Sequence, residues 1–234
     1  MDKKNIPQKY KDKPLIKNYE EYCDTYKFSI NNNDAFWSRI ATRVDWYEKW
    51  SKVSDVDYKS ADIKWYLDGK LNVSYNCIDR HIKDGYGEKT AIIWQGNDLD
   101  ESLTLTYNKL LDKVSRLANG LKDIGVRKGD RVCIYMQMIP ELAIAMLACS
   151  RIGAVHSIVF GAFSSDSLKN RINDCSCKVV ITQDTGIRGM KNNIPMKENV
   201  DAALEATPSV KNVIVVKRTD YEINMEDKRD IWYH

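Results

Sequence analysis

The loop at residues 188–191 contains the residue types that most suggest chemistry. Arg188 and Lys191 flank Gly189 and Met190 in a polar loop that follows an apolar run. An arginine at such a place can hold a phosphate through two N–H groups or stack on a purine, and a lysine adds a point charge. The loop predicts an anion site, although arginine and lysine in a loop are more often only solvated.

A second loop supplies space rather than charge. Gly161 and Ala162 follow another apolar run, and their small side chains allow a ligand chain to approach closely. We expect this loop to neighbour residues 188–191, because both follow apolar runs that are typical of strands.

Other patterns do not support catalysis. Residues 85–90 contain Lys-Thr, but Glu88 replaces the glycine that a phosphate-binding loop requires, so we interpret them as a turn. His156 lacks an adjacent nucleophile signature and is more simply a core residue. Cys175 and Cys177 could be two metal ligands, but no second pair accompanies them, which favours a helix end with two thiols. We predict no catalytic residue and no metal ligand in this chain.

Three short apolar runs define the scaffold of these loops. They are typical of strands buried on both faces and occupy residues 132–136, 155–160 and 178–182. Pro140 suits the start of a helix that Gly153 ends, and Ser164 can cap a second helix. The order predicts an α/β fold with a βαβαβ unit, a parallel sheet and right-handed crossovers.

Ligands bind beyond the carboxyl ends of the strands in such sheets. The sequence therefore predicts that functional residues lie in the loops at 137–140, 160–164 and 183–195.

The flanking sequence predicts further elements. Upstream we expect a helix at 72–83, a hairpin of strands 90–95 and 103–106, and a helix that Thr106 caps and Gly125 ends. Downstream we expect a long polar loop at 183–195, a short helix at 200–206, a strand at 213–217 and a polar tail without a defined end.

The N-terminal part differs in composition. Residues 1–16 are expected to be a flexible, lysine-rich lead-in, and residues 17–80 contain four of the six tryptophans. Asn33 or Asp34 can cap a helix there, and we expect an aromatic-rich helical segment that covers the main domain. Residues 81–234 then form the first part of that domain, which we expect to be incomplete at its C-terminal end.

Composition limits the classes of partner. A formal net charge of +3 is too small to indicate nucleic-acid binding, and 43% hydrophobic with 29% charged residues is ordinary for a globular protein. The N-terminus does not resemble a secretory signal, and charges interrupt the longest apolar region, so we expect no membrane helix. Six cysteines without framework spacing indicate reduced thiols and a cytoplasmic protein.

Several segments of the chain together resemble one family. These segments are IKWY at 63–66, NCIDRH at 76–81, TAIIW at 90–94, LTY at 105–107, MLACSRIGAVHS at 146–157, VFGAFS at 159–164, NVD at 199–201 and VIVVKR at 213–218. They resemble the adenylate-forming acyl-CoA ligases and, more narrowly, the acetate–CoA ligases (acetyl-CoA synthetases). The first two segments are similar to the acetate and propionate branch in particular.

The resemblance implies a two-step reaction and its substrates. Acetate attacks ATP to form acetyl-adenylate and pyrophosphate, and the thiol of coenzyme A then takes the acetyl group and releases AMP. Mg²⁺ assists the first step in this family. The resemblance also implies that the ATP phosphate loop, the acetate pocket and the catalytic lysine lie outside this chain, which is similar to the N-terminal third of such an enzyme.

The resemblance assigns part of a coenzyme A site to this chain. Its basic segment corresponds to Arg188, Gly189, Met190 and Lys191 and meets the nucleotide end of coenzyme A, while the turn of Phe160, Gly161 and Ala162 lies near the same ligand. This sequence departs from the family at Ala162 and Met190, where glycine is usual, and residues 192–193 add about one position.

Three alternatives remain open from the sequence. The parent enzyme could act on propionate, the chain could be a non-catalytic module that binds coenzyme A or a nucleotide, or the aromatic N-terminal segment could have a structural role. The sequence leaves the oligomeric state open as well.

Overall fold

The structure is a computed structural model that describes residues 16–234. It divides between Leu71 and Asn72 into two units, whereas the sequence analysis placed the boundary after residue 80. The predicted lead-in at 1–16 falls outside the described residues except for its last one.

The first unit contains two helices and a β-hairpin. Helix α1 spans Tyr19–Asn31 and helix α2 spans Asn33–Ala41, followed by antiparallel strands β1 (Lys52–Asp57) and β2 (Asp62–Leu67). The predicted helix is confirmed, although Asn32 takes the cap position, without a side-chain hydrogen bond. The hairpin was not predicted, because its strands carry so many charged residues that no apolar alternation marks them.

An aromatic cluster holds the helix end and the hairpin of this unit together. The rings of Trp46, Trp50 and Tyr66 lie 4.9–5.3 Å apart, at the tilted or edge-on angles that aromatic rings prefer. The indole N–H of Trp46 donates to the carbonyl of Ala41 at 2.9 Å, so the ring also caps the end of α2. Aromatic packing therefore replaces the aliphatic core that the unit lacks.

The second unit begins with helical turns that are wider than an α-helix. The helix predicted at 72–83 is present, but Tyr75–Asp79 and Ile82–Tyr86 are π-helical, and Gly85 has a left-handed φ of 84°. Arg151 pairs with Asp79 through two hydrogen bonds of 2.8 and 2.9 Å, which attach this segment to the main domain. Such a bidentate pair forms only when the fold brings Asp79 and Arg151 together, and their positions in the sequence do not reveal this.

The predicted hairpin and the helix after it are confirmed. Strand β3 (Thr90–Gln95) pairs antiparallel with β4 (Ser102–Thr106), and helix α3 follows at Tyr107–Asp123. The Thr106 hydroxyl accepts from the N–H of Lys109 at 3.3 Å, and Gly125 has a φ of 89° beyond the end of the helix.

A parallel five-stranded sheet forms the centre of the second unit. Its elements in chain order are β5 (Arg131–Met136), α4 (Pro140–Ile152), β6 (Val155–Phe160), α5 (Ser165–Cys175), β7 (Val179–Gln183), α6 (Met196–Leu204), β10 (Asn212–Val216) and β11 (Asp230–Trp232). The strand order is β11-β10-β7-β5-β6, and every neighbouring pair is parallel. The α/β prediction is confirmed, including the helix starts at Pro140 and after Ser164 and the left-handed Gly153.

Alternate residues of β5 show why the sheet has helices on both faces. Val132 and Ile134 pack into one core cluster with residues of α3 and α4, whereas Cys133 and Tyr135 pack into a second cluster with residues of α5 and α6. All four side chains are fully buried. A strand buried on both faces reads as a continuous apolar run, which is why its pattern was recognised.

The prediction that 155–160 is a buried strand was wrong. Strand β6 lies at the edge of the sheet, and Val155, Ile158 and Phe160 are 52%, 47% and 65% exposed. The apolar run identified a strand correctly, but its position in the sheet depends on the path of the crossovers. The chain passes from β5 outward to β6 and then returns beyond β5 to form β7.

Two further expectations need correction. The polar stretch at 183–195 contains a hairpin of β8 (Gly186–Arg188) and β9 (Lys191–Ile194), and the tail supplies β11. Neither was predicted, because the hairpin is mostly polar, β11 has only three residues, and the pairing of both depends on tertiary contacts.

Buried charges fix the tail in place. The ammonium of Lys197, which is 1% exposed, contacts Asp201 and Asp230 at 2.7 and 2.8 Å and donates to the carbonyl of Asn224 at 2.9 Å. Arg229 pairs with Asp230 at 2.6 Å, so the carboxylate of Asp230 is held by two cations. These two hydrogen-bonded cations keep the pKa of Asp230 below its usual value although burial acts to raise it.

One carboxylate joins the carboxyl ends of β7 and β10. Asp184 is 1% exposed and accepts backbone N–H groups from Thr185 at 2.7 Å, Arg218 at 3.0 Å, Thr219 at 3.0 Å and Asp220 at 3.1 Å. A buried carboxylate needs such donors to compensate for the water that it loses. Asp184 therefore shapes both loops next to the sheet edge where a ligand is expected.

Between residues 16 and 234, the structure contains no helix that is both long and apolar enough to cross a membrane.

Replacement of Asp184 by alanine should strongly destabilise the chain. The change leaves buried N–H groups without an acceptor, and we expect the free energy of unfolding to fall by about 3 kcal/mol or more. Urea unfolding followed by circular dichroism measures it. Asp227, an exposed aspartate of the same domain, is the matched control, and its alanine variant should change stability by about 0.5 kcal/mol at most. Equal effects of the two substitutions would contradict the role of Asp184.

The Asp79–Arg151 pair should make stability depend on acid. The hydrogen bonds from Arg151 hold the pKa of Asp79 below its usual value in the folded chain. A depressed pKa contributes stability fully above the unfolded-state pKa of about 3.9, and this contribution disappears as the pH falls through the folded-state value. The stability difference between the native chain and Asp79→Asn should therefore be largest near neutral pH and shrink below about pH 4. Urea titrations at a series of pH values measure it, and a difference that grows with acid would refute the assignment.

Candidate functional site

A cavity of about 650 Å³ lies at the carboxyl edge of the sheet. Between β5 and β7 the chain reverses the direction in which it adds strands, and such a switch point opens a crevice at this edge. The loops predicted to carry function, at 137–140, 160–164 and 183–195, all border the cavity. Its lining residues are Trp94, Gln95, Gly96, Asn97, Met136, Gln137, Met138, Ile139, Phe160, Gly161, Ala162, Ile187, Arg188, Ile194 and Arg218.

The turn after β6 forms one wall of the cavity. The N–H of Phe163 donates to the carbonyl of Phe160 at 2.9 Å, and their rings meet edge to face at 5.9 Å. The hydroxyl of the buried Tyr135 donates to the carbonyl of Phe163 at 2.7 Å, which fixes the turn from below. Phe160 keeps 65% of its surface exposed, so an aromatic ring remains available at the cavity wall.

Gly161 and Ala162 differ in what they require. A Cβ at Gly161 would lie 3.1 Å from both the carbonyl oxygen of Met136 and the Cε of Met196, which is closer than ordinary packing allows. Glycine is therefore needed at 161 for the turn to pass close to the end of β5. Ala162 lines the cavity, and its methyl group takes some of the space that a glycine would leave.

The basic segment forms the turn of the β8–β9 hairpin. Arg188 and Lys191 face each other across the turn, Gly189 has a left-handed φ of 58°, and Met190 is fully exposed. Arg188 lines the cavity, whereas Lys191 and Met190 do not. In the part of the chain that the structure describes, neither cation takes part in a salt bridge, so both charges are available to an anion.

Two glutamines that the sequence analysis missed position this hairpin. The side chain of Gln137 donates to the carbonyl of Ile187 at 2.9 Å and accepts from its N–H at 2.8 Å, as a paired strand would. The Gln183 side chain in turn accepts from the N–H of Gln137 at 2.8 Å. Gln137 directly follows the buried strand β5 and Gln183 is the last residue of the buried strand β7, and a polar residue at such a strand end was the signal that could have identified them.

An asparagine from the β3–β4 turn holds the tip of the same hairpin. The Asn97 side chain donates to the carbonyl of Gly189 and accepts from its N–H, both at 3.1 Å. Asn97 lies in the connection between the two strands of the predicted hairpin, and no site residue was predicted there. Its side chain satisfies both backbone groups of Gly189, so the turn next to Arg188 is anchored at its centre.

Arg218 differs from Arg188 because its charge is compensated. Its guanidinium contacts the carboxylate of Glu101 at 2.5 Å and lies 5.3 Å from the centre of the Trp94 ring. This hydrogen bond lowers the pKa of Glu101 from its ordinary value. The indole N–H of Trp94 donates to the carbonyl of Met138 at 2.7 Å, so this side of the cavity is rigid and close to neutral.

The cavity is suited to binding rather than to proton transfer. Of the residues that the structure describes, no histidine, aspartate or glutamate lines it. His156 lies on the edge strand β6, where burial lowers its pKa, and it is not part of the cavity. Residues 16–234 hold no group of three histidine, cysteine or acidic side chains that fits a metal ion. One uncompensated arginine, an exposed aromatic ring and apolar walls are the chemistry that remains.

Comparison with known proteins gives two family matches. A model described as "AMP-binding enzyme" matches residues 79–232, and one described as "Acetyl-coenzyme A synthetase N-terminus" matches residues 22–77. The fold is also similar to that of the acetoacetyl-CoA synthetase from Streptomyces lividans, with a TM-score of 0.81 and 21% identity over 97% of this chain and 34% of that one.

Similar curated proteins are named acetyl-coenzyme A synthetase. Those of Alkalilimnicola ehrlichii and Magnetococcus marinus are 52% and 53% identical, over 92% and 93% of this chain and 33% and 34% of their own length. The protein of Gamma-proteobacterium EBAC31A08 is 50% identical over the whole chain and 36% of its own length. The chain thus spans about a third of the length of these relatives and aligns with their N-terminal region. With a family model that covers most of its residues, the chain belongs to the AMP-binding enzyme family.

Proposed function

We propose that this chain is the N-terminal part of an acetate–CoA ligase and that it contributes to the binding of coenzyme A. Relatives at about half identity that carry the acetyl-coenzyme A synthetase name support the proposal. The geometry supports a more limited statement for these residues, namely that they bind an anionic nucleotide and do not catalyse.

The uncompensated Arg188 at the cavity wall is the observation that carries this proposal. Coenzyme A presents phosphates, a purine and a long neutral arm. A guanidinium can bind a phosphate through two N–H groups, and the exposed ring of Phe160 offers a face on which a purine can stack. Gly161 and Ala162 leave room beside these groups for the arm. Lys191, Gly189 and Met190 lie at the rim, where Lys191 adds charge without contact to the cavity.

The proposed reaction has two steps that this chain does not perform by itself. Acetate and ATP form acetyl-adenylate, and coenzyme A then takes the acetyl group and releases AMP. The described residues at the cavity offer no carboxylate for Mg²⁺, so they do not fit a metal site, and we place the ATP and Mg²⁺ sites outside this chain. The role of these residues is to bind and orient the thiol donor.

The acyl substrate is proposed from similarity alone. Acetate is favoured over propionate by the names of the relatives, and nothing at the cavity distinguishes the two acids. The exchange of labelled pyrophosphate into ATP by the native protein from its source, with acetate or propionate in turn, is the measurement that separates them. We also propose a cytoplasmic location, which the six free cysteines support.

Replacement of Arg188 by alanine should weaken the binding of coenzyme A to this chain. The loss of one charge-assisted contact is expected to remove about 1.5–3 kcal/mol, which corresponds to roughly a 10- to 150-fold higher dissociation constant. Isothermal titration calorimetry of the 234-residue chain measures it. An unchanged affinity would refute the assignment of Arg188.

The control for this experiment is Arg116→Ala. Arg116 lies on the outer side of α3, is 81% exposed and, among the described residues, pairs with Asp112 on its own helix alone, so its removal changes the net charge equally without touching the cavity. Its affinity for coenzyme A should match that of the native chain. If both variants lost the same affinity, binding would reflect net charge instead of a site.

The Asn97→Ala variant should weaken binding without any change of charge. It removes both hydrogen bonds to Gly189, so the turn beside Arg188 is no longer held in one conformation, and we expect a several-fold higher dissociation constant. Asn170→Ala, at an exposed position on α5, is the matched control and should bind normally. In Arg188→Ala the additional loss of Asn97 should have little effect, and full additivity of the two changes would contradict the positioning role.

A further inference from the structure

Three of the six cysteines gather at the amino end of the sheet, on the opposite side from the cavity. Cys133 lies in β5, Cys175 ends α5, and Cys177 lies just before β7. The sulfur atoms of Cys175 and Cys177 are 3.1 Å apart, which is a direct contact. The function proposed above makes no use of this pair.

The backbone already has the shape that a bond between the two sulfurs requires. Ser176, between them, has left-handed helical dihedral angles of φ 49° and ψ 54°. Helical dihedral angles of either hand place the Cα atoms of residues i and i+2 about 5.4 Å apart. Disulfides span Cα separations of about 4.4–6.8 Å, so this spacing and the contact of the two sulfur atoms are both compatible with the bond.

Several hydrogen bonds hold this conformation. The N–H of Cys177 donates to the carbonyl of Ile172 and the N–H of Ser176 to that of Asn173, both at 3.1 Å, which is the double closure of a helix end. The guanidinium of Arg131 donates to the carbonyls of Cys175 and Ser176 at 2.6 and 3.1 Å. Both peptide carbonyls between the thiols are therefore clamped by one side chain.

We propose that Cys175 and Cys177 are a redox-modification site that forms a reversible intramolecular disulfide with a low-molecular-weight disulfide such as oxidised glutathione. Cys175 is partly exposed and Cys177 is buried, so Cys175 is the point of entry and Cys177 the resolving residue. A metal is not the favoured ligand, since the described residues contain no group of three ligands that fits one.

The chemistry consists of two thiol–disulfide exchanges. The thiolate of Cys175 attacks one sulfur of oxidised glutathione, which forms a mixed disulfide and releases one glutathione. The thiolate of Cys177 then attacks the Cys175 sulfur and expels the second glutathione. In total, two protein thiols lose two electrons and two protons, and one oxidised glutathione becomes two reduced ones.

The environment of the two thiols makes them slow to react with an oxidant. Burial raises the pKa of Cys175, and a hydrogen bond with Cys133 together with burial raises that of Cys177. Protonated thiols attack slowly, so we expect slow oxidation and a disulfide that accumulates only under sustained oxidising conditions.

Peptide mass spectrometry of the 234-residue chain tests the proposal. The chain is equilibrated in buffers with different ratios of oxidised to reduced glutathione, free thiols are trapped by alkylation, and trypsin is added. Cleavage after Arg171 and Lys178 releases peptide 172–178, which contains both cysteines and no others. We expect its doubly alkylated form to be replaced by a form without alkylation that is about 2 Da lighter than the reduced peptide, because two hydrogens are lost.

The chain offers an internal control in Cys77. This exposed cysteine is the only one in its tryptic peptide 71–80, so it should acquire a glutathione adduct and nothing else. The Cys177→Ser variant should stop at a glutathione adduct on Cys175, whereas Cys133→Ala should leave the disulfide unchanged. The same titration in concentrated urea should give an equilibrium constant for disulfide formation that is lower by about tenfold or more, since the hydrogen bonds that hold the two cysteines in place are then lost.

Three results would overturn the proposal. Peptide 172–178 could carry only glutathione adducts in the native chain, Cys177 could be linked to Cys133 instead, or the native and urea-treated chains could oxidise equally. The last result would show that the sequence spacing acts alone, without the folded geometry. All three are independent of coenzyme A binding, so a failure here would leave the proposed function untouched.

Discussion

The carboxylate of Asp184 is the interaction on which the ligand edge of the molecule depends. It accepts N–H groups from its own loop and from residues 218–220, while its backbone bonds to Val216 and Lys197. A buried carboxylate cannot give up any of these donors cheaply, so the ends of β7 and β10 and the start of α6 are held as one unit. The hairpin that carries Arg188 begins directly after this anchor.

The candidate site combines uncharged side chains that hold the β8–β9 hairpin with one charged side chain that is available to a ligand. Gln137 and Gln183 hold the base of the β8–β9 hairpin, and Asn97 holds its tip. Their neutral side chains satisfy backbone groups, and within residues 16–234 no carboxylate forms a salt bridge with the guanidinium of Arg188. By contrast, the charge of Arg218 is neutralised by Glu101, and this side chain forms part of the cavity wall. The same residue type therefore has a binding role at one position and a structural role at another.

The two ends of the sheet are separated in chemistry. The carboxyl end gathers loops, a cavity and an uncompensated cation, as expected where a parallel sheet changes direction. The amino end contains thiols, a helix end and a clamping arginine. The strands β5 and β7 run between the two ends, are packed on both faces and resist deformation.

The local sequence determined those strands and helix ends that depend on neighbouring residues in the chain. A continuous apolar run marks a strand covered on both faces, Pro140 and Ser164 mark helix starts, and Gly153 marks a helix end, so the parallel α/β unit and the loops around the cavity were predictable. The sequence also showed a basic residue at 188 and an aromatic residue at 160, and the resemblance to a family suggested coenzyme A as their ligand.

Tertiary structure decided what depends on partners distant in the chain. An apolar run does not indicate whether a strand is central or at the edge of a sheet. The path of the crossover connections puts β6 at the edge. The strands β8, β9 and β11 are only three or four residues long, so they carry too little hydrophobic pattern to be recognised, and side-chain amides and buried charges help to hold them in place. For the same reason, no spacing rule could show that Arg218 has a carboxylate partner while Arg188 has none among the described residues, since ion pairing is set by contacts between loops that only the folded sheet brings together.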